Sequence, residues 1–186
     1  AEVGTNVQIS LEDPAKLLEY AKTQSIGLTV VGPEAPLALG VVNIFRHAGL
    51  AIFGPTKEAA MLETSKAYAK EVMVASGVPT ANYEVFTDYE TAEDAIADWE
   101  FPLVIKVDGL AAGKGVIICE SKQETLVTLK EIFIDQKFGG AGQKVLIEEF
   151  LIGQEISVFS FVDGENISPI IGATDYKRAY DGDAGP

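Results

Sequence analysis

The stretch 101–120, FPLVIKVDGLAAGKGVIICE, sets Gly109, Gly113 and Gly115 with Ala111 and Ala112 between two apolar runs. Lys106 precedes this loop and Lys114 lies within it. Glycine and alanine keep a loop thin, so backbone N–H groups can come close to an anion. Two lysines add charge for the same purpose. The combination fits capture of phosphate, and a solvated glycine hairpin is the plain alternative. Lys106 weighs more than the loop itself. It stands among Leu103, Val104, Ile105 and Val107, where an ammonium needs a partner.

Neither familiar phosphate loop matches. A P-loop opens a helix with G-x-x-x-x-G-K-[ST], whereas three residues separate Gly109 from Gly113, and Lys114 is followed by Gly115. A dinucleotide fingerprint fails too, because Gly113-Lys114-Gly115 runs on into Val-Ile-Ile, a strand-like sequence. A second signal is Glu148-Glu149-Phe150-Leu151 followed by Gly153-Gln154-Glu155. Backbone groups at such a strand end suit a base, and a carboxylate suits a sugar; a solvated strand end is the other reading.

Other chemistries find little support. The sole cysteine, Cys119, sits in the apolar run VIIC and reads as core, in keeping with a reducing compartment. The sole histidine, His47, suits the end of a helix. Metal-ligand and triad patterns that need several His or Cys are absent. A formal net charge of −14 argues against nucleic acid and requires any phosphate to be held by local donors. No apolar run reaches the ~20 residues of a membrane span, so no membrane is expected.

The elements that position these residues can be read in outline. Asp13-Pro14 caps a helix with Leu17, Leu18 and Ala21 on one stripe. Residues 26–32 read as a strand, LALGVVNIFRHA as one helix stopping at Gly49, and LAIFG as a second strand. That alternation predicts part of a doubly wound parallel domain over 1–57. Thr56 caps a short helix, and SKAYAKEVMVASG is a longer one, so 58–79 reads as linker helices. YEVF, a helix from Asp88 with Ala92, Ala95, Ile96 and Trp99 on one face, LVIKV, VIICE, a helix boxed by Ser121 and Glu124, and KVLIEEF then follow. This β-α-β-β-α-β order predicts a small α+β domain over 80–150, with the glycine loop joining its middle strands. Two further strands surround Asp163-Gly164.

Several phrases carry a family likeness: VVGPEAPL, FGPTKEAAMLETSKAYAKEVM, GVPTANY, IKVDGLAAGKGV, KFGGAG, VLIEEFLIGQEIS, and D-Y-K-R with DGDAGP. The chain resembles the phosphoribosylamine–glycine ligase family of ATP-grasp enzymes over nearly its whole length. The resemblance implies an α/β and α+β ATP-grasp fold: a partial N-terminal domain, the lid subdomain 80–150, and the start of the catalytic subdomain at 151–186. It implies an internal fragment, inactive alone. The implied reaction joins glycine to 5-phosphoribosylamine through a glycyl phosphate, with release of ADP and phosphate, in cytoplasmic purine synthesis by a monomer. ATP and Mg2+ are the implied cofactors (Mn2+ as a possible substitute), with the metal-binding Glu and Asn expected outside the chain and none within it.

Matched by motif, Lys66 and Lys106 are implied to contact ATP phosphates. Gly109, Gly113, Lys114 and Gly115 belong to the lid loop, Glu148, Phe150 and Leu151 to the adenine hinge, and Glu155 to the ribose. Asp175, Lys177 and Arg178 are implied to lie near the reacting substrates, and Glu34 to face the substrate cleft; a solvated helix cap would suit Glu34 equally. The chain departs from the family at Tyr176, usually His, and Thr174, usually Gln. Rival readings are another ATP-grasp ligase or carboxylase, or a non-catalytic nucleotide-binding module.

Overall fold

The computed structural model describes residues 3–111 and 113–174. It comprises two compact units, residues 1–150 and 151–186. In the first, α1 (Pro14–Thr23) begins as its sequence dictates: the Asp13 carboxylate accepts from the Lys16 N–H at 3.1 Å, with Pro14 in the first turn. Its apolar stripe of Leu17, Leu18 and Ala21 packs on Val41, Val42 and Phe45. β1 (Thr29–Val30) and β2 (Ile52–Phe53) pair in parallel, as the helix–strand alternation predicts. β1 is shorter than the expected 26–32, because the Ile26 N–H closes the end of α1 on Ala21 O instead of joining the sheet.

The single helix expected over LALGVVNIFRHA is two, α2 (Glu34–Ala38) and α3 (Val41–His47). Gly40 stands between them at φ 81°, a left-handed backbone that no α-helix contains. Thr56 Oγ1 accepts from the Ala59 N–H in the turn ahead of α4 (Met61–Thr64). α5 (Lys66–Ala75) is capped by Ser65, whose Oγ accepts from the Tyr68 N–H at 3.2 Å.

The next elements are β3 (Tyr83–Phe86), α6 (Tyr89–Ala95), β4 (Leu103–Val107), β5 (Val116–Cys119), α7 (Lys122–Phe133) and β6 (Val145–Glu149). The sheet order is β3-β6-β4-β5, with every neighbouring pair antiparallel. β3 and β4 therefore run the same way with β6 between them, and β5 and β6 do so around β4. These are two interleaved split β-α-β units, the arrangement the element order predicts. Trp99 leaves the helical face after a 3-10 turn, Ile96–Asp98, yet still packs against the core. At α7, Ser121 Oγ accepts from the Glu124 N–H, while Glu124 reaches back to the Glu120 N–H, one residue before the usual capping-box donor.

The strand register sorts the sheet into two faces. Leu103, Ile105, Val107, Val145 and Ile147 point into a core completed by Ala92 and Ile96, from α6 and the turn after it, and by Leu129 and Ile132 from α7. Each such side chain, fully buried, is worth roughly 1.5–3 kcal/mol. The opposite face carries the alternate residues: Tyr83, Glu148, Leu146, Val104 and Lys106.

The second unit holds β7 (Ser157–Phe159) paired antiparallel with β8 (Ile171–Ala173), and a bridge between Val162 and Ile167. Asp163 closes the turn by accepting from the Glu165 and Asn166 N–H groups, and Gly164 takes φ 101°. No helix among the described residues is long and apolar enough to cross a membrane.

Candidate functional site

Lys106 finds its partner on the neighbouring strand. β4 and β6 pair so that Lys106 lies opposite Leu146, and Glu148, two residues on, emerges from the same face. The Lys106 ammonium donates to Glu148 Oε2 at 2.8 Å. A second ammonium reaches the same oxygen from α5: Lys70 Nζ lies 3.0 Å away. Lys70 also donates to Thr80 Oγ1 at 2.8 Å and Ala81 O at 3.3 Å, and sits 5.3 Å over the Tyr83 ring. Glu148 is only 3% exposed, and its other oxygen, Oε1, accepts no hydrogen bond from the described residues. A buried acceptor in that condition is costly unless something else supplies a donor.

Lys66 lies one helical turn before Lys70 on α5, hence on the same side. Its ammonium donates to Val107 O at 2.8 Å and Gly109 O at 3.3 Å, where β4 enters the glycine loop. Burial holds its pKa below the ordinary lysine value, against an opposing pull from Asp108 and Glu63. Both lysines read as phosphate ligands are thus engaged, one by carbonyls and one by a carboxylate.

Asp108 anchors the base of the loop. Its carboxylate accepts from Ser65 Oγ with both oxygens at 3.1 Å, and from the Ala67 N–H at 2.7 Å. It thereby caps α5 from outside the helix. The Asp108 N–H donates to Lys144 O, and the Gly109 N–H points to Ala141 O at 3.4 Å. Gly109 must be glycine here, because a Cβ would come within 2.9 Å of the Ala141 backbone. Of the loop amides, Gly109 and Lys114 are engaged within the protein; those of Leu110, Ala111 and Gly113 have no acceptor among the described residues. Gly113 takes φ 78°, Gly115 is buried, and the Lys114 side chain is exposed.

The remaining candidates are more scattered. Phe150 ends the first unit, 37% exposed, while Leu151 and Glu155 lie, exposed, in the irregular stretch ahead of β7 in the second. Glu34 is exposed in the first turn of α2, so its position at a strand-to-helix turn is as read. Asp175, Tyr176, Lys177 and Arg178 lie outside the described residues. No group of three or more His, Cys, Asp or Glu that could hold a metal ion occurs among the described residues. Sequence reasoning missed Lys70 and Asp108. The signal for Lys70 was its four-residue spacing from Lys66 on one helix; Asp108, in the strand-to-loop step VDG, looked like ordinary turn chemistry.

The geometry is therefore a largely buried sheet face with a carboxylate held by two ammonium groups, beside a thin loop whose Leu110, Ala111 and Gly113 amides have no acceptor among the described residues. It can bind a polar ring at one end and an anion at the other. Comparison with known proteins finds relatives over the whole chain. The phosphoribosylglycinamide synthetase N domain matches residues 1–63, and the phosphoribosylglycinamide synthetase ATP-grasp (A) domain matches residues 64–186. A phosphoribosylamine–glycine ligase of Halalkalibacterium halodurans is 49% identical over all 186 residues, which span 44% of that protein. The crystal structure of a Thermotoga maritima phosphoribosylamine–glycine ligase superposes with a TM-score of 0.78 at 37% identity, over 98% of this chain and 43% of that one. A biotin carboxylase from Campylobacter jejuni shares the fold alone, with a TM-score of 0.69 at 20% identity, over 84% of this chain and 36% of that one. The chain thus spans less than half the length of the relatives it matches, and it belongs to the phosphoribosylglycinamide synthetase family of ATP-grasp proteins.

Proposed function

We propose that this chain supplies the ATP-binding part of a ligase that joins glycine to 5-phosphoribosylamine through a glycyl phosphate. ADP and phosphate are the other products, and the protein works in the cytoplasm as a monomer, in purine synthesis. The observation that carries the nucleotide reading is Glu148, whose buried Oε1 has no donor among the described residues while Oε2 is held by Lys106 and Lys70. A purine amino group supplies the missing donor. Val104, 9% exposed on the same sheet face, offers apolar surface beside the ring.

Lys106, 28% exposed in its side chain, then lies where it can reach a phosphate, with Lys66 near the loop base. The amides of Leu110, Ala111 and Gly113, with Lys114, close over the phosphates as a lid, and Gly109 and Gly115 let the loop fold tightly. Phe150 and Leu151 form the adenine hinge and Glu155 the ribose contact. Asp175, Lys177 and Arg178, with Glu34, serve the glycine and amine side. The division into 1–57, 58–79, 80–150 and 151–186 belongs to the same reading. Such an arrangement promotes phosphoryl transfer by positioning and charge neutralisation. Magnesium (or manganese) would neutralise triphosphate charge; among the described residues no group of three or more candidate ligands occurs, and the reading places the ion's ligands outside this chain.

Titration of a fluorescent ATP analogue against wild type and Lys106→Ala tests the nucleotide reading. Loss of a charged phosphate contact is expected to weaken binding by ten-fold or more, about 1.4 kcal/mol or above. Equal affinities would remove Lys106 from the site. For the reaction, ADP release by the full-length protein should depend on glycine rather than bicarbonate or D-alanine; preference for either of those would favour a different ATP-grasp enzyme.

A further inference from the structure

Two ammonium groups share one carboxylate oxygen, and they are not equivalent. Lys70 is 8% exposed in its side chain and has Glu148, Thr80, Ala81 and the Tyr83 ring as partners. Lys106 is 28% exposed, and its one partner among the described residues is Glu148. The cluster carries one cation more than its carboxylate neutralises. We propose that Lys70 is a positioning residue: it is the resident counter-ion of Glu148, and its presence lets Lys106 leave that carboxylate for an ATP phosphate. The inference rests on the nucleotide reading above.

The physical argument turns on what Glu148 becomes when Lys106 moves. A carboxylate this deeply buried is penalised heavily if left without an opposite charge. With Lys70 in place, Oε2 keeps an ammonium at 3.0 Å and stays fixed, so Oε1 keeps its aim. Without Lys70, Lys106 is the only cation paired with the carboxylate among the described residues, and moving it towards a phosphate strands Glu148. Lys70 thus acts on ATP through two other residues and touches no ligand itself. Its place on α5, one turn beyond Lys66, ties this support to the helix whose N-terminus is capped by Asp108.

Two readouts test the proposal, one of them free of nucleotide. Amine-reactive labelling followed by mass spectrometry gives the modification rate of Lys106. In Lys70→Met that rate is expected to fall several-fold, because Lys106 becomes the sole partner of Glu148. In a Glu148→Gln background the same Lys70→Met change should leave the rate unaltered. Affinity for the fluorescent ATP analogue should fall at least ten-fold in Lys70→Met, and by much less when Lys70→Met is added to Glu148→Gln. Circular dichroism confirms that each variant is folded; should Lys70→Met fail to fold, Lys70→Met/Glu148→Gln against Glu148→Gln alone carries the comparison. A Lys70 effect that persists at full size in the Glu148→Gln background overturns the proposal. Unchanged Lys106 labelling and unchanged affinity in Lys70→Met overturn it while leaving the nucleotide reading intact. A wild-type chain that binds no analogue overturns that reading and this proposal with it.

Discussion

Ser65 and Asp108, 43 residues apart, meet at one helix end: the serine hydroxyl lies 3.1 Å from both oxygens of the carboxylate. Ser65 is thereby a donor to Asp108 and an acceptor for the Tyr68 N–H, so the cap of α5 and the base of the glycine loop are one structure. Charge at the helix N-terminus adds to the hydrogen bonds. Asp108→Ala removes the charged acceptor of the Ser65 hydroxyl and the Ala67 N–H and is expected to cost about 2–3 kcal/mol. Ser65→Ala should cost about 1 kcal/mol. Urea midpoints of the two variants against wild type check the order, which reverses if the link is only local.

Gly113 and Gly115 are two residues apart but are glycine for different reasons. At Gly113 the backbone is left-handed, φ 78°, with open space around it, so Gly113→Ala should cost about 1 kcal/mol. At Gly115 a methyl group would overlap Val107 Cγ2 and lie 2.7 Å from Ala111 Cβ. Gly115→Ala must therefore displace the end of β4 and is expected to cost roughly 1–3 kcal/mol. Thermal melts separate the two, and a Gly115→Ala variant as stable as wild type would contradict the packing described.

Lys66 makes a pH prediction. Burial lowers its pKa in the folded chain below the ordinary value of 10.5. Between the folded value and 10.5 the unfolded chain holds a proton that the folded chain has released. Stability contributed at this position therefore rises with pH through that window, and the cost of the buried charge is fully present below it. Chemical denaturation of wild type and Lys66→Met from pH about 8 to about 10.5 should show the difference moving in favour of wild type. A flat difference would place Lys66 in solvent.

Cys119 is fully buried, and burial pushes its thiol pKa up. Ellman's reagent is expected to modify it only through unfolding, with a rate that climbs as denaturant is added. Rapid modification of the native chain would show that β5 opens independently of the sheet.

The sequence carried these features unevenly. The fold's local elements were legible because their signals are local: Asp13-Pro14 and Ser121 cap where they should. Gly40 was misread because a glycine inside an apolar helical pattern looks tolerable until its backbone angle is known. The lone lysine in LVIKV announced that it needed a partner, but not that the partner was Glu148. Register between strands made that pair, and register lies in no single segment. Lys70 was harder still, since helix α5 reads as amphipathic and a lysine on it as solvated. Only the docking of α5 near Thr80 and Glu148 buries it.

The split arrangement of the sheet has a consequence for synthesis. β6, the last strand of the first unit to leave the ribosome, is the one that lies between β3 and β4. Until residues 145–149 emerge, β3 has no neighbour to pair with, and Lys70 and Lys106 have no carboxylate between them. A nascent chain halted just short of Val145 is left with an unfilled slot at the centre of its sheet, so this sheet is completed in one late step rather than strand by strand.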